Sequence, residues 1–421
     1  MTEKIGGFGR NEAGRATLAG RPLSELLGEA GVATPAYFYD LDAVERAAAA
    51  LSSAFGGARH LVAYALKANT AGSIVRAAAR GGAGADVVSG AELEVALACG
   101  IPAHKIVMSG VAKATAEIDT AIGRQVLALQ CESVEELLRI AARARTLGRR
   151  ARVTLRVNPN VEIDSHAHIS TGHDAAKFGI ARRDLPRAFE AVDDNAEHLV
   201  LVGISTHVGS MLTATSPYVD AARAVCAVAR DRRQKNSELE YVSFGGGFGI
   251  DYGDKEPPPP PAFAKAALEQ LRAEGLGDLM LVVEPGRSMV GPYGVLVAGV
   301  VQSKVSGERR WLMIDAGMND LVRPALYGAR HRIESLDAPP SGAPYRVVGP
   351  VCESSDDFGE HVTGELPERV VIRDAGAYGF AMASEYNGRP LPSEVFVQGG
   401  RVAHVSRSPG ADAWIQSRLR A

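Results

Sequence analysis

The chain has 421 residues and 46% hydrophobic content, enough for a large core and for two or three domains, although a single α/β barrel can absorb about 250 residues. A net charge of −3 gives no reason to expect nucleic acid or an acidic membrane surface as a partner. Its four cysteines form no C-x-x-C pair, residues 1–20 are polar and glycine-rich, and no apolar stretch approaches the ~20 residues of a span, so a zinc site, a disulfide framework, a signal peptide and a membrane helix are not expected and a cytoplasmic compartment is.

In chain order, Ala36-Tyr37-Phe38-Tyr39-Asp40 reads as a strand assignable to either of two domains, and Asp42 is placed to cap a helix over 43–55. Short apolar runs then recur at 60–66, 85–88, 105–109, 126–130, 152–157, 199–205, 239–244 and 279–283. Helical patterns over 89–99, 133–147, 184–191 and 216–231 lie between them. Eight strand-like runs alternating with helices predict an α/β fold with a parallel sheet, and the count favours a (β/α)8 TIM-type barrel over an open doubly wound sheet. Pro257 to Pro261 reads as a stiff connector ahead of a helix. After Glu284 the runs 295–305, 310–314, 346–348, 369–372, 395–398 and 401–405 are short, β-like and separated by turn residues. They predict a second, all-β domain of barrel or sandwich type. The expected division is a barrel over 37–285 and a β domain over 1–36 with 286–421.

Chemistry in such a barrel sits at the carboxyl ends of the strands. Lys67 ends the first run, at the close of Tyr64-Ala65-Leu66-Lys67-Ala68-Asn69. A poorly hydrated amine there would be a usable nucleophile toward an aldehyde cofactor; on its own the segment reads equally well as a lysine reaching out of a loop. Asp86 lies near the end of the second run. His207 follows the sixth within His207-Val208-Gly209-Ser210 and could stack on a flat ring, though a lone histidine is more often an ordinary rim residue. Gly245-Gly246-Gly247-Phe248-Gly249 follows the seventh, where backbone N–H groups could close on a phosphate, or a flexible turn could serve no ligand at all. Glu284-Pro285-Gly286-Arg287 ends the eighth. A carboxylate there could keep a pyridine nitrogen protonated, or simply pair with the arginine. Cys131-Glu132-Ser133 reads as packing followed by a helix cap.

Together these motifs resemble the pyridoxal-phosphate decarboxylases that join an alanine-racemase-like barrel to a β domain, and among them the diaminopimelate decarboxylase family. Further matches are Ile169-Ser-Thr-Gly172 with Lys177-Phe-Gly179, Asp315-Ala-Gly-Met-Asn-Asp320, Arg323-Pro-Ala-Leu-Tyr327, Cys352-Glu-Ser354 with Asp356, and Ala375-Gly-Ala-Tyr-Gly379. The match runs from about 36 to about 400. The resemblance implies decarboxylation of meso-2,6-diaminopimelate to L-lysine, or of another amino acid by an enzyme of the same build. It implies pyridoxal 5'-phosphate as cofactor, held covalently by Lys67 and contacted by Asp86, His207, Ser210, Gly245, Gly246, Gly247, Glu284 and Tyr378. Arg287, Arg323, Tyr327, Glu353 and Tyr378 would bind substrate. Cys352 would be the proton donor, and Lys67, Glu284 and His207 would be the other catalytic residues. It also implies a homodimer with shared active sites, a small-molecule substrate, and no metal, nucleic acid or membrane partner.

Overall fold

Eight of the apolar runs become eight parallel strands, because each is flanked by an amphipathic helix long enough to return the chain to the same end of the sheet. The computed structural model describes residues 6–159, 177–235 and 239–420. Its strands His60–Ala65, Gly84–Val87, Ile106–Met108, Ala128–Cys131, Ala151–Arg156, Leu199–Ser205, Tyr241–Ser243 and Met280–Val283 hydrogen-bond in sequence order, and the eighth pairs with the first to close the barrel. Closure excludes the open doubly wound sheet.

The barrel interior is filled by side chains at alternate positions, among them Leu61 and Ala63, with Val107, Ala128, Val202, Tyr241 and Val282. Tyr241 is the largest of these, and Gly203 on the neighbouring strand makes its ring possible. A Cβ at Gly203 would stand 2.7 Å from that ring. The Tyr241 hydroxyl is not stranded in the core, since it hydrogen-bonds to Thr154 Oγ1.

The chain divides into two units: Ala47–Ile250 with Pro257–Ser288, which holds the barrel, and Met1–Arg46 with Asp251–Glu256 and Met289–Ala421. The second is built on a nine-stranded sheet whose long central strand Gly294–Ser306 pairs with Ala36–Asp40, Arg309–Ile314 and Arg369–Ile372. Its core gathers Leu18, Leu23, Leu26, Phe38, Val295, Val297, Val395 and Val397. A boundary at 36/37 therefore falls at the head of a paired strand; Ala36–Asp40 belongs to the sheet because both its neighbours, Gly294–Ser306 and Ser393–Gln398, come from it. This unit is mostly β, and the helices Leu23–Ala30, Arg323–Tyr327 and Gly410–Leu419 accompany its sheet.

Two local expectations also change. The helix Leu41–Ser53 is capped one residue pair earlier, by Asp40, whose Oδ1 accepts the Ala43 N–H at 2.9 Å; Asp42 instead accepts the Gly399 N–H. Pro260 and Pro261 are not confined to a connector but form the first two positions of the helix Pro260–Ala273, where a missing N–H costs nothing. Ser133 does cap its helix, accepting from the Glu136 N–H at 3.1 Å, and Cys131 is buried packing.

Adding one methyl at Gly203 should collide with the Tyr241 ring and cost about 1–3 kcal/mol or more by overpacking. Urea denaturation of Gly203→Ala measures this directly; an unchanged midpoint would show that the ring has room to move.

Candidate active site

The first barrel strand ends in a 3-10 turn, Leu66–Ala68, whose flanking residues Leu66 and Ala68 are buried. Lys67 between them faces out, with its side chain 41% exposed. Of the two readings the segment allows, this exposure favours a lysine reaching out of the turn over a desolvated one. Its Nζ lies 3.2 Å from Oδ2 of Asp86, which is only 1% exposed. Asp86 Oδ1 accepts the Ser109 hydroxyl at 2.6 Å, and Gln130 Nε2 donates to Ser109 at 3.2 Å. The ends of four consecutive strands are linked in this way, with the amine at the outer end.

Glu284 follows the eighth strand, is buried, and accepts the Ser243 hydroxyl at 2.5 Å. Burial, with the Asp86 carboxylate nearby, pushes its carboxyl up to about 7, against the opposing pull of Ser243, Lys67 and Arg156. It is therefore a group that gains or loses a proton near neutrality. His207 has the reverse character. Burial, then the cations Arg156 and Lys67, hold its imidazole well below 6.5. The Gly246 N–H donates to Nδ1 at 3.2 Å, so that nitrogen carries a lone pair and the ring proton sits on Nε2.

The glycine loop is held by contacts that no side chain would permit. A Cβ at Gly246 would lie 2.0 Å from the Glu284 carbonyl oxygen, and one at Gly247 would lie 2.1 Å from that of Gly209. Gly245 and Gly247 also take φ of +70° and +88°, which disfavour an L side chain. Ser210 accepts from Arg287 Nη2 at 3.0 Å. Lys67, Asp86, His207, Ser210, Gly245, Gly246, Gly247, Glu284 and Arg287 thus all belong to the barrel unit and to the carboxyl ends of its strands.

The other candidates belong to the second unit. Arg323 is buried and donates from Nη1 to the Tyr252 hydroxyl at 2.8 Å and to His331 Nε2 at 2.7 Å. Tyr327 closes the same short helix. Cys352 is exposed, its N–H held by Asn387 Oδ1 at 2.9 Å, and Glu353 accepts the Tyr386 hydroxyl at 2.7 Å. Asp356 fastens this loop by accepting the Val351 and Met318 N–H groups, both at 2.7 Å. Tyr378 sits at φ +56°. The motif Ile169-Ser-Thr-Gly172 lies outside the described residues.

Residues 41–291 match the family model described as the pyridoxal binding domain of the pyridoxal-dependent decarboxylases. The diaminopimelate decarboxylase of Neisseria meningitidis serogroup A is 41% identical over 378 residues, covering 89% of this chain and 92% of the relative. The chain belongs to the diaminopimelate decarboxylase family. Among solved structures, the Helicobacter pylori diaminopimelate decarboxylase complexed with L-lysine matches at TM-score 0.87 and 36% identity, over 94% of this chain and 99% of that one. The M. jannaschii enzyme in complex with L-lysine matches at TM-score 0.90 and 33% identity, over 99% and 98%. Members are pyridoxal-dependent carboxy-lyases.

The rim suits that cofactor in its donor set. It offers a primary amine for an aldehyde, a side-chain-free loop for a phosphate and a carboxyl able to share a proton with a ring nitrogen. Sequence reasoning missed Arg156, whose guanidinium pairs with Glu132 at 2.9 Å and lies 4.9 Å from the Phe178 ring centroid. Its charge helps to keep His207 neutral and opposes the rise of Glu284. The one available signal was the tripeptide Cys131-Glu132-Ser133, whose glutamate also accepts the Gly179 N–H at 2.7 Å. Among the described residues no helix is long and apolar enough to cross a membrane.

Because folding raises the Glu284 carboxyl above its ordinary 4.5, the folded protein holds that proton more tightly than the unfolded chain does. The stability it contributes is complete below about 4.5 and lost as pH rises through about 7. Cofactor-free protein should lose up to about 3 kcal/mol across that window relative to Glu284→Gln. Parallel stability–pH curves for the two proteins would contradict this account of Glu284.

Proposed function

We propose that this protein decarboxylates meso-2,6-diaminopimelate to L-lysine and carbon dioxide, and that it does so as a homodimer in the cytoplasm. The single observation that carries the reading is the convergence, on one barrel rim, of an outward-facing amine paired to a buried carboxylate with a second carboxyl poised near pH 7. Family membership over nearly the whole chain supports the substrate, as do the L-lysine complexes of the Helicobacter pylori and M. jannaschii relatives.

Pyridoxal phosphate, when bound, supplies an aldehyde that joins to an amine and a ring that accepts the electron pair released with carbon dioxide. Lys67 Nζ is the amine that would hold it. Asp86 keeps Nζ oriented, and Ser109 keeps Asp86 oriented. Glu284, whose carboxyl is pushed up to about 7, would share its proton with the ring nitrogen and, as a carboxylate, keep that nitrogen protonated, which gives the ring the positive charge that draws electrons. The glycine loop and Ser210 would bind the phosphate, and Tyr378 would be a further ligand to it. His207, held neutral, would offer a flat face to the ring without adding a second positive charge.

Substrate recognition falls to side chains of opposite charge. Arg287, Arg323 and Tyr327 suit carboxylate groups, and Glu353 suits a distal ammonium. Cys352 returns a proton to the substrate carbon. Its exposure and that of Glu353 are consistent with their reaching the site of a second subunit, which makes the dimer part of the reading. A racemase would keep the carboxylate that this arrangement expels.

The experiment is carbon dioxide release by purified protein with pyridoxal phosphate across a panel of amino acids. Turnover of meso-diaminopimelate with lysine as product, at least about a hundredfold faster than that of ornithine or lysine, is expected for a site that pairs charges at both substrate ends. Turnover of another amino acid without activity on diaminopimelate would overturn the substrate.

A further inference from the structure

We propose that His331 and Tyr252 are positioning residues that fix Arg323 for the substrate carboxylate, and the proposal rests on the reading of Arg323 given above. Arg323 is 4% exposed and His331 is 2% exposed, so neither interaction is loosened by water. Arginine has donors and no acceptor, so an Arg323 Nη1 to His331 Nε2 contact of 2.7 Å requires a lone pair on Nε2. The opposite ring nitrogen, Nδ1, lies 2.9 Å from the Arg373 carbonyl oxygen, which can only accept. The proton must therefore be on Nδ1. Both nitrogens of this imidazole are assigned by their partners, and the ring is neutral in a single tautomer.

Tyr252 completes the hold. Its hydroxyl accepts from the same Nη1 at 2.8 Å, so both protons of that nitrogen are committed. The guanidinium carbon also lies 4.7 Å from the Tyr252 ring centroid, and the Tyr252 and His331 rings meet edge to face at 5.0 Å and 74°. The guanidinium plane is thus fixed by two acceptors and one aromatic ring.

The platform beneath is equally specific. Tyr252 is carried by Asp251–Glu256, a six-residue excursion that folds into the second unit although its flanks belong to the barrel unit. Arg332, the neighbour of His331, anchors it by donating to the Asp251 carboxylate at 3.0 Å and to the Asp251 carbonyl at 2.8 Å. The same side chain reaches Asp374 at 2.7 Å, and the Arg373 N–H donates to the Arg332 carbonyl at 2.9 Å. The excursion therefore delivers one hydroxyl to one guanidinium. A flexible arginine must otherwise be ordered when its carboxylate arrives, and side chains ordered in advance bind tighter for that reason.

Steady-state kinetics of the holoenzyme, on whichever amino acid it turns over, test the proposal. His331→Phe keeps a flat ring and removes the acceptor; Tyr252→Phe keeps the aromatic face and removes the hydroxyl. Each should raise KM by about tenfold or more, as expected for losing a hydrogen bond to a charged group, with the larger share of the loss in kcat/KM appearing in KM. The visible spectrum of the bound cofactor should not move. His331→Gln, which restores an acceptor and a donor, should recover most of the lost affinity. In an Arg323→Met background, His331→Phe should add less than about twofold, since its effect runs through the arginine. An unchanged KM in His331→Phe and Tyr252→Phe beside a raised KM in Arg323→Met overturns the positioning role alone. So does a full additional loss on the Arg323→Met background. An unchanged KM in Arg323→Met overturns the reading of Arg323 on which the proposal stands. Should His331→Phe fail to fold, Tyr252→Phe and its combination with Arg323→Met decide by the same criteria.

Discussion

A buried carboxylate must either find a positive partner or hold its proton more tightly, and at Asp86 the first outcome organises the barrel rim. Asp86 takes its charge partner from Lys67 on the first strand and a hydroxyl from Ser109 after the third. The amine is consequently held at the carboxyl end of the first strand, with its side chain partly exposed. The same carboxylate acts on Glu284 from a distance, helping burial to raise it to about 7. Positive charge from Lys67 and Arg156 moderates that rise and keeps His207 unprotonated. One compact charge pattern thus sets three chemical states: an oriented amine, a neutral imidazole and a carboxyl poised between its two forms.

The backbone supplies the other half of the site. The glycine loop after the seventh strand runs so close to the Glu284 and Gly209 carbonyl oxygens that a methyl group at Gly246 or Gly247 has no place. The Gly246 N–H, brought near by this approach, gives His207 its tautomer. Backbone approach and side-chain electrostatics are therefore one arrangement, and a change in the loop would be felt at the imidazole.

Much of this was legible in the sequence where a local rule sufficed. All eight barrel strands follow from short apolar runs between amphipathic helices, and Ser133 capped its helix as its position suggested. Legibility failed where the deciding partner was distant in sequence. Ala36–Asp40 reads as a strand, but its place in the β sheet depends on Gly294–Ser306 and Ser393–Gln398. Lys67 follows an apolar run and sits in a turn between two buried residues, and the run alone does not report its exposure. Arg156 and Glu132 meet across neighbouring strands, and His331 and Tyr252 meet at Arg323 across two separated segments. Pairings of that kind leave no spacing to read.

In the mechanism proposed above, the Asp86-paired amine of Lys67 is the group joined to pyridoxal phosphate. Borohydride reduction of the holoprotein, followed by peptide mapping, tests it most directly. The account predicts the cofactor's mass fixed on the peptide containing Tyr64-Ala-Leu-Lys67-Ala-Asn69 and on no other lysine. Label on a different lysine, or none after reduction of protein that carries the cofactor, would contradict it.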